Sequence, residues 1–133
     1  MKTPALFGLA ASIFALAATG ATGADWPTKP VRIVVPFAAG GAADVVSRLV
    51  ADSLGTAFGQ QFVVENRAGG GGIVAAQYVA RAEPDGYTLM QVGMSSHVVS
   101  PAMSKNPGFD PVRDFRAMTP AELTRFVQSQ VNQ

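Results

Sequence analysis

The chain has 133 residues, 48% hydrophobic and 14% charged, with ten Lys/Arg, nine Asp/Glu, one His and no Cys. That length suits one domain rather than a generous two-lobed one. A near-neutral balance without a basic stripe excludes nucleic acid as a partner, and the absence of cysteine excludes a disulfide framework and thiolate chemistry.

In chain order, Lys2, the apolar run Leu6 to Ala18 and the small-residue stretch Gly20 to Ala24 have the layout of a secretory signal peptide. Cleavage is expected after Ala24, with Gly23 as the alternative, and the run is too short and alanine-rich for a permanent membrane span. Asp25 to Pro30 is a proline-rich lead-in holding the only tryptophan, Trp26. The organising stretch is Val31 to Leu54. Arg32 to Val35 is a short β-branched strand stopped by Pro36, Phe37 to Gly41 turns the chain, and from Asp44 the positions Val45, Val46, Leu49, Val50 and Leu54 recur at helical spacing. A helix opening after a glycine turn directs unpaired N–H groups into the space above the strand, which suits an anion such as a carboxylate; the same pattern also describes an ordinary β–α connection.

Gly59 stands where a C-cap glycine is expected, and Phe62 to Glu65 predicts a second strand. Ala68 to Gly72 reads as a flexible glycine run, Ile73 to Ala82 as a helix, Pro84-Asp85-Gly86 as a turn, Tyr87 to Val92 as a third strand and Gly93 to His97 as a polar loop. Val98 to Lys105 predicts a short helix interrupted or started by Pro101. Thr119-Pro120-Ala121-Glu122 fits a capping box opening a last helix, with Leu123, Phe126, Val127 and Val131 on one apolar face that needs a surface to bury it.

Strand, helix, strand, helix, strand is the order of an α/β unit: a short parallel β-sheet flanked by helices, here followed by a C-terminal helix. Ligands of such sheets gather outside the carboxyl ends of the strands. The loops there, 37–43, 66–72 and 93–97, are rich in Gly, Ala and Ser, so a site built from them holds its ligand mainly by backbone groups and hydroxyls.

Gly70 to Ala75 formally matches G-x-G-x-x-A, but it follows the second strand and no acidic residue ends the third to take a ribose, so no dinucleotide cofactor is implied. Ser95 and Ser96 beside His97 raise a small exported serine hydrolase as an alternative, although G-x-S-x-G is absent and adjacent residues rarely form a nucleophile and its base. With one His and no Cys, a metal would need clustered carboxylates, and Asp110 and Asp114 read as a solvated pair. Asp44 either contacts an amine or hydroxyl of a ligand or caps its own helix.

VRIVVPFAAGGAAD at Val31–Asp44, VVENRAGGGG at Val63–Gly72, ARAEPDGYTL at Ala80–Leu89, the S-S-H run at Ser95–His97 and FDPVRDF at Phe109–Phe115 resemble the N-terminal lobe of the Bug receptors, or TctC family. These are periplasmic substrate-binding proteins of tripartite tricarboxylate transporters. The resemblance implies a partial periplasmic-binding-protein-like lobe over 25–115 after a 1–24 signal peptide, periplasmic localisation and no catalysis. It implies a small carboxylate or amino-acid-like ligand, delivered by full-length relatives to membrane transporter subunits. Carried over residue by residue, it points to Phe37, Ala39, Gly40, Gly41 and Asp44, with Ser95, Ser96 and His97 from the hydroxyl run. The sequence departs from the family at Ala43 and Ser100, and above all after Phe115, where relatives continue into a hinge and second lobe. Residues 116–133 resemble instead the helix near the family's C-terminus, as an internal deletion joining the two ends would produce; a nonfunctional deletion product is therefore the alternative to a working receptor.

Overall fold

The computed structural model describes residues 26–116; the predicted signal peptide and C-terminal helix lie outside them. Three strands form a parallel sheet in the order β2-β1-β3: β1 (Val31–Val35), β2 (Phe62–Asn66) and β3 (Thr88–Met90). Val31 lies opposite Phe62 and Val35 opposite Asn66, while Arg32 pairs with Thr88 and Val34 with Met90. β1 is central, and Val31, Ile33, Val34 and Val35 are buried, the near-continuous apolar run of a strand covered on both faces. β3 is shorter than the predicted Tyr87 to Val92. The ladder reaches the end of β1 there, its last bond running from Gln91 N–H to Val34 O at 2.9 Å.

The crossovers carry α1 (Ala42–Phe58) onto β1 and β2, and α2 (Ile73–Ala80) onto β1 and β3. Right-handed connection puts these helices on opposite faces of the sheet. α1 ends as expected at Gly59, in the left-handed conformation, with its N–H bonded to Gly55 O at 3.0 Å. Its orientation departs from the apolar pattern. α1 buries Asp44, Ser47 and Ala51, whereas Val46 and Leu49 are 56% and 63% exposed and Val45 and Val50 are exposed as well. Small side chains on the inner face let the helix lie close to the sheet, and the apolar stripe faces outward.

The glycine run is packed, not the flexible segment expected. Gly70–Gly72 forms a 3-10 turn leading into α2. Gly72 has φ +100°, and a Cβ there would lie 2.3 Å from Ser96 Cβ. Gly71 likewise faces Ser100, whose Oγ donates to Gly71 O at 3.0 Å. Two glycines thus admit the backbone against a helix that occupies the predicted polar loop. Ser95–Val99 is a π-turn running straight into α3 (Ser100–Met103). Its widened register carries Ser100 N–H to Ser95 O, which accommodates Pro101, a residue without an N–H to continue the α pattern.

Aromatic clusters close the ends. Trp26 stands edge-on to Phe58 at 5.4 Å and to Phe62 at 6.3 Å. Phe109 and Phe115 pack on each other and on the His97 ring, Phe115 at 4.5 Å from it.

Candidate functional site

In a 2-1-3 sheet the connections leaving β1 and β3 depart toward opposite faces, which makes the space outside their carboxyl ends the expected position for a ligand. The turn after β1 and the Ser95–Met103 helix after β3 border it.

The turn is built to leave amides free. Gly40 takes φ +85°, and Gly41, extended at φ −79°, precedes α1 with no side chain capping the helix start. The first intrahelical bond runs from Val45 N–H to Gly41 O at 3.0 Å. The N–H groups of Gly41, Ala42 and Ala43 therefore have no partner in the first turn, where the helix dipole presents partial positive charge. Gly41 and Ala42 are exposed. The Gly40 amide is different: it donates to Asp44 Oδ2 at 2.9 Å and is engaged within the protein.

Asp44 is 4% exposed and turned toward this turn and its own helix. Arg48 donates Nε to Asp44 Oδ2 at 3.1 Å and brings Nη2 to 3.0 Å from Oδ1. Arg48, then the Gly40 N–H, then Asn66 hold the carboxyl down at about 2 against an opposing effect of burial. Asn66, at the end of β2, accepts from Arg48 at 3.3 Å and donates Nδ2 to Phe37 O at 3.1 Å. Phe37 is thus tied by its carbonyl and half-buried, while Ala39 stands exposed at the tip. Arg48 and Asn66 are the residues that sequence reasoning missed as parts of the site. The i, i+4 spacing of Asp44 and Arg48 was available as a signal; the register bringing Asn66 beside Val35 was not.

On the β3 side the three predicted residues separate. Ser95 is exposed at the helix start. Ser96 is fully buried, its Oγ accepting from Gly93 N–H at 3.2 Å, and it forms the floor against Gly72. His97 Nε2 lies 3.0 Å from Pro111 O. A carbonyl only accepts, so Nε2 carries the proton, and the ring is committed to the 109–115 segment. Neither serine hydroxyl is bonded to His97, and the geometry offers no nucleophile with an adjacent base. Asp110 and Asp114 brace a turn: Asp110 Oδ1 accepts from Val112 and Arg113 N–H, both at 2.9 Å, and Asp114 Oδ2 from Asp110 N–H at 2.7 Å. Among the described residues no group of three or more His, Asp or Glu is placed to hold a metal.

A separate open cleft of about 420 Å³ lies on the α2 face of the sheet, lined by Arg32, Arg67, Tyr78 and Arg81 among others. Arg32 and Arg67 share the carboxylate of Glu65 there.

The parallel α/β arrangement is shared with a solved periplasmic binding protein. Residues 46–129 match the model of the family described as TctC, tripartite tricarboxylate transporter family receptor, and the chain belongs to that family. It is 43% identical over 112 residues to a UPF0065 protein of Bordetella bronchiseptica, covering 84% of this chain and 33% of the relative. Among solved structures it resembles the periplasmic binding protein BugD (36% identity, TM-score 0.59, 78% of this chain and 41% of that one). Two Rhodopseudomonas palustris structures are similar at 31% identity and TM-score 0.63: one with adipate (79% and 42% covered), the other with bound malate (77% and 42%). The chain spans about a third of the length of the Bordetella relative. The family is one of receptors and the BugD neighbour is a periplasmic binding protein, not an enzyme, so the hydrolase alternative is set aside.

Proposed function

We propose that the chain is the ligand-capturing lobe of an extracytoplasmic receptor, exported by its N-terminal segment, that takes a small carboxylate for a tripartite tricarboxylate transporter. The observation that carries the reading is the uncapped start of α1, where the N–H groups of Gly41, Ala42 and Ala43 make no intrahelical bond, with Asp44, Arg48 and Asn66 fixing the turn behind them. A carboxylate there satisfies orphan donors and meets the helix dipole without any charged ligand residue. Ser95, exposed at the start of the helix after β3, is the hydroxyl assigned to the guest in this reading. Asp44, Ser96 and His97 are positioning residues. The adipate and malate of the two R. palustris structures support a small dicarboxylate as the ligand.

The test removes one donor without unfolding the helix. Ala42 is the first helical position, where proline is tolerated because its missing N–H makes no helical bond. Calorimetry with malate, adipate and an amino-acid panel is expected to give binding to the wild type that Ala42→Pro weakens at least roughly tenfold, about 1.4 kcal/mol, with an unchanged melting temperature. Equal binding by both proteins removes the α1 start from the site. A folded wild type that binds none of these ligands supports the deletion-product reading instead.

A further inference from the structure

The cleft on the α2 face of the sheet holds more positive charge than the described residues neutralise. Arg32, Arg67 and Arg81 line it, and no acidic side chain does. Among the described residues the acidic partner of Arg32 and Arg67 is Glu65 alone: Arg32 Nε stands 3.1 Å from Oε2, and Arg67 donates Nε to Oε1 at 2.6 Å. Arg81 is exposed and has no hydrogen bond or ion pair among the described residues. Three guanidiniums against one carboxylate leave an excess of two positive charges. We propose that this cleft is an anion site, separate from the α1 start, that takes a dianionic phosphate group, inorganic or in a monoester.

The donors are held in place before a ligand arrives. The Arg67 guanidinium carbon lies 3.6 Å from the centroid of the Tyr78 ring. Arg32 Nη1 donates to Tyr78 Oη, which leaves the tyrosine's own proton free to donate. Two long side chains thus lose little further rotamer freedom on binding. Arg32 Nη2, Arg67 Nη1 and the whole of Arg81 make no hydrogen bond among the described residues, and guanidinium forks suit phosphate oxygens. The negative end of the α2 dipole offsets part of the Arg81 charge, so the site needs the pair on the sheet as well. A charge excess of two matches phosphate or its monoester, whereas the diester of a lipid headgroup carries one. The cleft, about 420 Å³ and open, has the size of a small-ligand site. It does not rest on the α1 reading: Arg32 stands three residues before the carboxyl end of β1, about 10 Å along the strand.

The test titrates the full nitrogen-15-labelled chain with inorganic phosphate, against chloride at equal ionic strength. Saturating shifts are expected at the amides of Arg32, Tyr78, Arg81 and Thr88. Glycerol phosphate, a monoester, is expected to reproduce them, and dimethyl phosphate, a singly charged diester, is not. Arg81→Gln removes a charge that no described residue uses, so the melting temperature should hold while phosphate affinity falls at least several-fold. Lys105→Gln makes the same change of charge at an exposed position outside the cleft and should bind as the wild type does. Shifts that never saturate, equal affinity in Arg81→Gln, an equal loss in Lys105→Gln, equal binding of the diester, or phosphate shifts confined to Gly41, Ala42 and Ala43 overturn the proposal. The response of those three amides to malate bears on the α1 reading alone, so either reading can fail without the other.

Discussion

Asp44 does its work through its carboxylate charge. Its ionised form is favoured first by Arg48 and then by the Gly40 amide, which hold it at about 2 against an ordinary value of 3.8. A carboxyl lowered on folding contributes stability that is complete above its unfolded pKa and is lost as pH falls through its folded one. The advantage of wild type over Asp44→Asn, read as the difference in urea midpoint, should therefore be full at pH 6 and shrink between about pH 4 and 2. Asp85, Asp110 and Asp114 are lowered too, so only the comparison of the two proteins isolates Asp44. Gly72 poses a steric test at the same scale. Its φ of +100° and the 2.3 Å approach to Ser96 Cβ leave no room for a methyl group. Gly72→Ala should cost more than about 2 kcal/mol in chemical denaturation. At Gly93 a Cβ meets nothing closer than Ser96 Oγ at 3.9 Å, so Gly93→Ala should be far milder.

At the scale of elements, α1 buries its small side chains and shows its branched ones. The prediction is an inversion of the usual mutational pattern: Leu49→Lys should change stability by less than about 0.5 kcal/mol, whereas Ala51→Leu should cost roughly 1–3 kcal/mol through overpacking. A result with Leu49 sensitive and Ala51 tolerant would contradict the observed face. This is also where sequence legibility ended. The strand, glycine turn, helix and C-cap of Val31 to Gly59 were readable because each rests on local chemistry: β-branching, positive φ, helical spacing. Which side of α1 meets the sheet was not, since periodicity reports a stripe and not its partner. The glycine run was misread for the same reason, because the close approach of Ser96 and Ser100 comes from a distant segment. Met94 to Met103 was read partly as loop because Ser and Gly favour turns locally, while packing against Gly71 and Gly72 makes it helical. At the start of α1, the glycine turn was legible; the network of Arg48 and Asn66 was set by register.

Across the whole molecule, the proposed function makes the described lobe one wall of a binding crevice. Receptors of this kind gain affinity by closing a second wall over the ligand and excluding water, and each tenfold loss corresponds to about 1.4 kcal/mol. At the same scale, α1 and the Ser95–Met103 helix each turn an exposed apolar face outward. The most direct measurement is a titration of the nitrogen-15-labelled protein with malate, followed amide by amide. The largest shifts should fall on Gly41, Ala42 and Ala43, with a smaller response at Ser95. Shifts confined to the Arg32, Arg67 and Arg81 cleft, with the α1 amides silent, would contradict the account.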